Sequence, residues 1–226
     1  MNTSKLEQVM EHLDGWVSKN GNGQYIEDDT FPSDWGITDD WGIQQVRKEI
    51  MEFVALLVER EEAGTILEIG LGYYGSTHVL WRQLFSRVIT IEKSHDRIRN
   101  FGKNTKAFYN DWILDDGKSQ FLIGYSNEVS TIQKAYGYVT EPIDVLFIDG
   151  DHSYEAVLSD WLLYSPMVKS GGIVAFHDSV LNIPNSYYGV PKLLGKLGNG
   201  EIDSKVRDIK QIVHSKNVGI AYYIKD

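Results

Sequence analysis

The spacing of hydrophobic residues changes from a helical period to short apolar runs near residue 60. Two amphipathic helices are predicted before that point, the first over residues 1–20. The apolar positions of the second helix share one face: Ile43, Val46, Ile50, Phe53, Val54 and Leu57. Residues 20–43 are rich in Gly, Asp, Asn and Trp, which predicts an irregular arm. We therefore expect residues 1–60 to be a helical extension with an arm that serves as a substrate lid, and residues 61–226 to form the main domain.

From residue 65 onward, apolar runs of strand length alternate with segments of helical period. The runs that read as buried strands are residues 65–69, 87–92, 119–123, 143–148 and 172–176. This alternation predicts an α/β fold, a parallel sheet with helices on both faces. Residues 209–214 and 219–224 are joined by a brief connection and predict a closing antiparallel hairpin.

Composition narrows the choice of partner and compartment. With 226 residues and 42% hydrophobic content, the chain has enough material for one well-packed α/β domain. The formal net charge of −10 argues against a nucleic-acid partner, which normally requires a basic face. No run of 18 apolar residues predicts a membrane span. Cysteine is absent, which excludes disulfides and a cysteine nucleophile and fits a reducing cytoplasm. We expect a cytoplasmic protein that acts on a small molecule.

A glycine-rich turn lies between the first predicted strand and the helix that begins near Ser76. Gly70, Gly72 and Gly75 let the backbone turn tightly and let a ligand approach the main chain without a Cβ in the way. The strand before the turn and the helix after it are the context in which such a motif binds a cofactor. The turn therefore predicts an adenosine-type cofactor.

Two acidic residues flank this turn, and they leave the cofactor class open. Glu68 precedes the first glycine, where an acid would face a cationic ligand such as S-adenosylmethionine (SAM) better than a pyrophosphate. Glu92 ends the second strand and suits a ribose diol, which dinucleotides and SAM both carry. A nicotinamide-dependent oxidoreductase therefore remains an alternative, as does a non-catalytic cofactor-binding protein.

Polar residues follow the fourth and fifth predicted strands. Asp149-Gly-Asp-His152 comes directly after one strand, and His177-Asp178 ends the next. Ligands of open α/β sheets bind at the carboxyl ends of the strands. If these two strands are neighbours, carboxylates and imidazoles meet at one edge of the sheet.

Segments 66–77, 144–154 and 170–178 resemble the class I SAM-dependent methyltransferases. They are most similar to the branch that includes macrolide and sugar O-methyltransferases and the cephalosporin-hydroxylase-like proteins. The resemblance covers residues 65–180 well and residues 1–60 only loosely. It implies a Rossmann-like seven-stranded sheet whose last strand is antiparallel, and SAM as the cofactor.

The resemblance also implies roles for individual residues. Gly70, Gly72 and Gly75, with Ser76, would surround the methionine part of SAM. The other implied cofactor contacts are Glu68 at the amino group, Glu92 at the ribose, Gly124 and Ser126 at the adenine, and Asp149. His152 would match a catalytic base.

A divalent metal is a further part of this prediction. Asp149 and Asp178 would match acidic metal ligands, but His177 stands where metal-dependent relatives carry a second acid. Magnesium prefers oxygen ligands, whereas imidazole suits manganese, iron or zinc. With Asp149, His177 and Asp178 as the candidate ligands, three alternatives stay open: another metal, a His177 that turns away, or no metal.

The chemistry expected from this set is methyl transfer to a hydroxyl group of a sugar or natural product. His152 would take the hydroxyl proton, or a cation on Asp149 and Asp178 would lower the hydroxyl pKa. The aromatic residues of two irregular segments are candidates for acceptor stacking, with none assigned: Trp35, Trp41, Tyr187 and Tyr188. RNA methylation is disfavoured by the acidic balance, and a homodimer stays open.

Overall fold

The computed structural model describes residues 3–20, 25, 45–114, 116–180, 188–216 and 218–226. The helices are α1 Thr3–Asn20, α2 Arg47–Glu59, α3 Ser76–Leu84, α4 His95–Tyr109, α5 Val129–Tyr138, α6 Tyr154–Tyr164 and α7 Val190–Gly198. The strands are β1 Thr65–Ile69, β2 Arg87–Glu92, β3 Ser119–Ile123, β4 Ile143–Ile148, β5 Val168–His177, β6 Lys210–Ile212 and β7 Ile220–Ile224. Ile43, Trp35, Trp41 and Tyr187, named from the sequence, lie outside the described residues.

The strands form one seven-stranded sheet in the order β3-β2-β1-β4-β5-β7-β6. β1 to β5 pair in parallel, and β7 is antiparallel to both β5 and β6. The predicted fold, a mostly parallel sheet with a C-terminal antiparallel hairpin, is confirmed. Strand order reverses between β1 and β4, so a crevice opens at their carboxyl ends, the usual ligand position in such sheets.

Helices cover both faces of the sheet because successive strand residues point to opposite sides. Ile66 packs into a core cluster with α1, α2, α3 and α4, whereas Leu67 and Ile69 pack with α5, α6 and α7 on the other face. α1 belongs to the first cluster: Trp16 is fully buried and meets the Phe101 and Phe108 rings edge to face. The N-terminal helix is thus part of the domain core.

One strand is longer than the sequence pattern indicates. β5 begins at Val168, whereas its apolar run begins at residue 172. The register shifts within its pairing to β4, and Gly171, with φ 76°, lies in the irregular stretch. The Gly171 N–H donates to Lys225 O, so β7 keeps this glycine-containing stretch in the sheet.

Among the described residues, no helix is long and apolar enough to span a membrane.

Candidate active site

The three glycines of the turn after β1 meet different surroundings. A Cβ on Gly70 would collide with the Asp149 backbone, and one on Gly75 would collide with the Phe101 ring. A Cβ on Gly72 would project into open space, although its φ of 66° also favours glycine. Gly70 and Gly75 are therefore required by close packing, and Gly72 leaves the main chain open to a ligand.

The helix after this turn begins without a side-chain cap. Ser76 is the first residue of α3, and Gly75 before it offers no side chain to accept hydrogen bonds. The first backbone N–H groups of a helix lack partners within the helix, and they favour negative charge. An anionic ligand group would satisfy these donors.

Glu92 lies at the end of β2 and fastens the glycine turn. Its Oε2 accepts a hydrogen bond from Leu71 N at 3.0 Å, and its Oε1 accepts one from Ser94 N at 2.8 Å. Arg97 lies 3.7 Å from Oε2 and covers the Tyr73 ring. A carboxylate offers about four acceptor positions, so two backbone donors leave capacity for ribose hydroxyls.

The structure places Glu68 inside the core, away from the open edge. It is fully buried, and its oxygens accept hydrogen bonds from Trp81 Nε1 at 2.9 Å and from the Thr90 hydroxyl at 2.7 Å. Burial raises its pKa to about 7. The reason is strand alternation: position 68 shares its face with Ile66, beneath α3. The described contacts of Glu68 are thus with the protein core, and its contact with a cofactor amino group stays a prediction.

The loop after β3 is hydrogen-bonded to α6. Ser126 O accepts a hydrogen bond from the Tyr164 hydroxyl at 2.5 Å, and Gly124 has a φ of 147°. Asp160 lies beneath this loop. Both of its carboxylate oxygens are buried, and neither accepts a hydrogen bond of good geometry from the described residues. Burial raises its pKa to about 6, and Ser126 opposes that rise. Sequence reasoning missed Asp160, because an acid in mid-helix carries no signal of burial.

The polar ends of β4 and β5 meet as predicted. Ile148 pairs with Phe176, so the residues that follow emerge side by side. His177 Nδ1 lies 3.2 Å from Asp149 Oδ1 and 3.4 Å from Asp178 Oδ1. His152 Nδ1 lies 2.9 Å from Asp178 Oδ2. The four groups form one network, which we call the edge network (Asp149, His152, His177 and Asp178).

Charges in the edge network compensate one another. Burial alone would lower the pKa of His177, but Asp149 and Asp178 outweigh it and raise that pKa well above its ordinary value. Burial likewise opposes a charged His152, and Asp178 and Asp149 raise its pKa nonetheless. The imidazoles in turn hold the pKa of Asp178 far below its usual range. The two carboxylates thus favour the charged imidazoles, and the imidazoles favour the charged form of Asp178.

The residues placed to hold a metal differ in one member from the predicted set. Within the described parts of the chain, Asp149, His152 and Asp178 form a group whose potential ligand atoms all lie within 4.8 Å of one another. His177 is not in this group. Both ring nitrogens of His177 are buried beneath the carboxylates, and neither forms a hydrogen bond of good geometry with the described residues. The donor set therefore has two carboxylates and one accessible imidazole.

Three further residues surround the edge network. Gln45, before α2, donates from Nε2 to Asp149 Oδ2 at 3.4 Å. Tyr188 stacks on the His152 ring with 5.4 Å between centroids, and Gly189 N donates to His152 O at 2.7 Å. Sequence reasoning named Tyr188 only as an acceptor-stacking candidate and missed the other two, because their contacts cross long sequence separations.

Comparison of the sequence with known proteins identifies the family. A family described as a methyltransferase domain matches residues 17–179. The uncharacterized protein R132 of Acanthamoeba polyphaga mimivirus is 53% identical over 132 residues, 57% of this chain and 57% of its own. The chain thus spans little more than half the length of this curated relative.

Solved structures share the fold. An O-methyltransferase from Bacillus cereus, in complex with SAH, has a TM-score of 0.60 at 22% identity and covers 98% of this chain and 91% of its own. The MycE methyltransferase of the mycinamycin pathway, in complex with Mg and SAH, has a TM-score of 0.56 at 16% identity and covers 83% of this chain and 52% of its own. Because the family match spans residues 17–179 and the fold is shared with solved methyltransferases, the chain belongs to the methyltransferase family with the class I SAM-dependent fold.

Proposed function

We propose that this chain binds SAM at the crevice between β1 and β4 and methylates a hydroxyl group of a small molecule, with His152 as the general base. The observation that carries the proposal is the 2.9 Å pair between His152 Nδ1 and Asp178 Oδ2, beside the glycine turn. The net charge of −10 favours a small acceptor over nucleic acid. Family membership favours SAM over a nicotinamide cofactor.

The residues at the crevice fit SAM. Open space above Gly72 admits the methionine part, and the uncapped start of α3 suits its carboxylate. Glu92, at the end of β2, would bind the ribose hydroxyls, and Gly124 with Ser126 would border the adenine. Asp149, which follows β4 at the same edge of the sheet, would also contact SAM. SAM, when bound, supplies a methyl group on a positively charged sulfur.

His152 would act through the nitrogen that Asp178 leaves free. A carboxylate only accepts hydrogen bonds, so Asp178 favours the tautomer with the proton on Nδ1. Nε2 then has a lone pair to take the acceptor hydroxyl proton as the new O–C bond forms and the C–S bond breaks. His177 stays buried beneath Asp149 and Asp178 and stabilises the charge of Asp178. Methyl transfer also requires the hydroxyl oxygen to be held in line with the methyl group.

A divalent cation is a second element of the proposal. The donor set of Asp149, His152 and Asp178 mixes carboxylate with imidazole, which suits manganese better than magnesium. A cation there would lower the pKa of the acceptor hydroxyl. Asp178 would then bind the cation and would no longer orient His152. The base route and the metal route therefore require different roles of the same carboxylate.

The cofactor assignment is tested by calorimetry with SAH and with NAD. We expect SAH to bind and NAD not to bind; the reverse would overturn the assignment. Gly72→Ala and Gly70→Ala are a matched pair, because both replace a glycine of positive φ. The first should weaken SAH binding about tenfold while the chain still folds, because its Cβ enters the ligand space. The second should prevent stable folding, because its Cβ meets the Asp149 backbone.

The reaction is tested by release of SAH in the presence of hydroxylated sugars, phenols and macrolides. His152→Ala should reduce turnover by about 100- to 10,000-fold with the affinity for SAH unchanged. Unchanged turnover in this variant would show that His152 is not the base. Added manganese with the wild type, compared with a chelator, decides the metal route: activity that persists in the chelator supports the base route alone.

A further inference from the structure

We infer that Tyr188 is a positioning residue for His152. Its ring holds the imidazole in the orientation in which Nδ1 meets Asp178 and Nε2 faces the acceptor. The inference rests on the proposed role of His152 as the base. It adds a residue of the connection between β5 and α7 to the machinery of the reaction.

The first support is the geometry around the imidazole. The Tyr188 and His152 rings are stacked, with centroids 5.4 Å apart and planes 26° from parallel. Asp178 contacts the same imidazole at one edge atom, Nδ1. Rotation about χ2 of a histidine is broad, so one contact at one atom does not set the ring plane. A second contact, on the face of the ring, fixes the orientation of the ring plane.

The second support is that both contacts come from the ends of one connection. Asp178 directly follows β5, and Tyr188 lies just before α7. The imidazole is therefore held between two ends of a single chain segment.

The backbone of Tyr188 is fastened to the His152 segment independently of its side chain. Gly189 N donates to His152 O at 2.7 Å, and Ser153 and Tyr188 form an antiparallel bridge. Position 189 has no room for a Cβ, which would collide with the Tyr154 backbone. Because these contacts use main-chain atoms, a substitution at Tyr188 removes the stacking and leaves the fastening.

The Tyr188 side chain is also separate from the apolar core. It is half-buried, and the two core clusters of the described residues do not include it. Its substitution should change the orientation of the base more than the stability of the fold.

The test compares Tyr188→Phe with Tyr188→Leu in the full chain, with SAM and an acceptor found by SAH release. Phe keeps an aromatic face and should keep kcat within about twofold. Leu removes that face and should lower kcat about tenfold, the fold-change that an aromatic pair of ordinary strength supplies. KM for the acceptor and the affinity for SAH should stay within about twofold. Tyr138→Leu, at an exposed tyrosine of α5, is the matched control and should leave kcat unchanged.

A second readout does not depend on activity. In protein with ¹⁵N-labelled histidine, above the pKa of His152, the wild type and Tyr188→Phe should show the proton on Nδ1. Tyr188→Leu should show a mixture of both tautomers. If Tyr188→Leu does not fold, Tyr188→Trp takes its place, with altered ring geometry and the same two readouts.

The outcomes separate this inference from the proposed function. Full kcat and a single tautomer in Tyr188→Leu, with an inactive His152→Ala, would overturn the positioning role and leave the base in place. A raised acceptor KM with unchanged kcat would make Tyr188 a substrate contact and also overturn it. Full activity of His152→Ala would overturn both. Loss of kcat in Tyr188→Leu with rescue by Phe supports the inference.

Discussion

Two buried histidines of this protein lie in opposite charge states. His78, on α3, and His177, at the end of β5, are 0% and 3% exposed, so both have lost contact with water. Burial lowers the pKa of His78 to about 3 and leaves it neutral. The pKa of His177 is raised well above its ordinary value. The same loss of hydration is thus accompanied by pKa shifts of opposite sign.

The partners explain the difference. His78 bonds to two hydroxyls, Thr90 Oγ1 at 2.7 Å from Nδ1 and Ser119 Oγ at 2.8 Å from Nε2. Hydroxyls satisfy a neutral imidazole without compensating a positive charge. The Glu68 carboxylate, whose Oε2 lies 3.8 Å from Nδ1, compensates little because burial raises its own pKa to about 7. His177 lies against two carboxylates, Asp149 and Asp178, whose attraction exceeds the cost of burying the charge. Burial therefore sets the cost of a charge, and the neighbours decide whether it forms.

The hydrogen bonds around His78 run in one direction. Arg82 can only donate, and it donates to the Ser119 hydroxyl at 2.6 Å. An ionised Glu68 can only accept, and it accepts from Thr90. His78 between them must therefore accept at Nε2 and donate from Nδ1. We call this set the inner network (Glu68, His78, Arg82, Thr90 and Ser119). It is closed by protein on all sides of His78, whereas the edge network reaches the crevice through His152.

The largest expected effect tests the charge difference directly. His177→Gln should lower the free energy of unfolding by about 4 kcal/mol, because it removes the buried imidazole that lies against both Asp149 and Asp178 and leaves His152 as the remaining imidazole of the edge network. His78→Gln should cost only about 1 kcal/mol, because an amide still bonds to hydroxyls. Urea unfolding of the two variants measures both. Equal losses would contradict the assigned charge states.

Asp178→Asn comes next and tests whether the edge network is the chemical one. Asp178 has a φ of 56°, which asparagine tolerates, so backbone strain is not added. The variant keeps a similar shape but removes the charge that supports the imidazoles. We expect turnover to fall about 100-fold, or about 2.7 kcal/mol, with SAH affinity within about twofold. Turnover near the wild-type value would leave the His152–Asp178 pair without a role in the reaction.

A pH series sharpens the description of the inner network. Burial raises the Glu68 pKa from 4.5 to about 7, so the folded state holds this proton more tightly than the unfolded state. Its contribution to stability is complete below pH 4.5 and is lost as pH rises through about 7. The stability of the wild type minus that of Glu68→Gln should fall by on the order of 3 kcal/mol across this window. Titrations elsewhere cancel in the difference, and a flat difference would show that the Glu68 pKa is not raised.

Much of the site could be read from local pattern. The bounds of β1 to β4 follow from apolar runs that end in polar or glycine residues, and the edge network follows from polar residues after β4 and β5. The start of β5 could not be read in this way, because Gly171 and Gly172 resemble a turn until Lys225, which follows β7, forms hydrogen bonds to both. The His152–Tyr188 stack and the Gln45–Asp149 bond join distant parts of the chain and have no local signal.

The sequence by itself determined the layered α/β fold, the glycine turn and the carboxylates and imidazoles at the strand ends, because period, glycine content and strand termini are local properties. Only the tertiary structure decided that Glu68 faces the helices and Glu92 the turn. It also decided that His152, rather than His177, is the accessible imidazole beside Asp178. Each of these outcomes depends on which elements pack together, and packing determines both the exposure of a group and the charges near it.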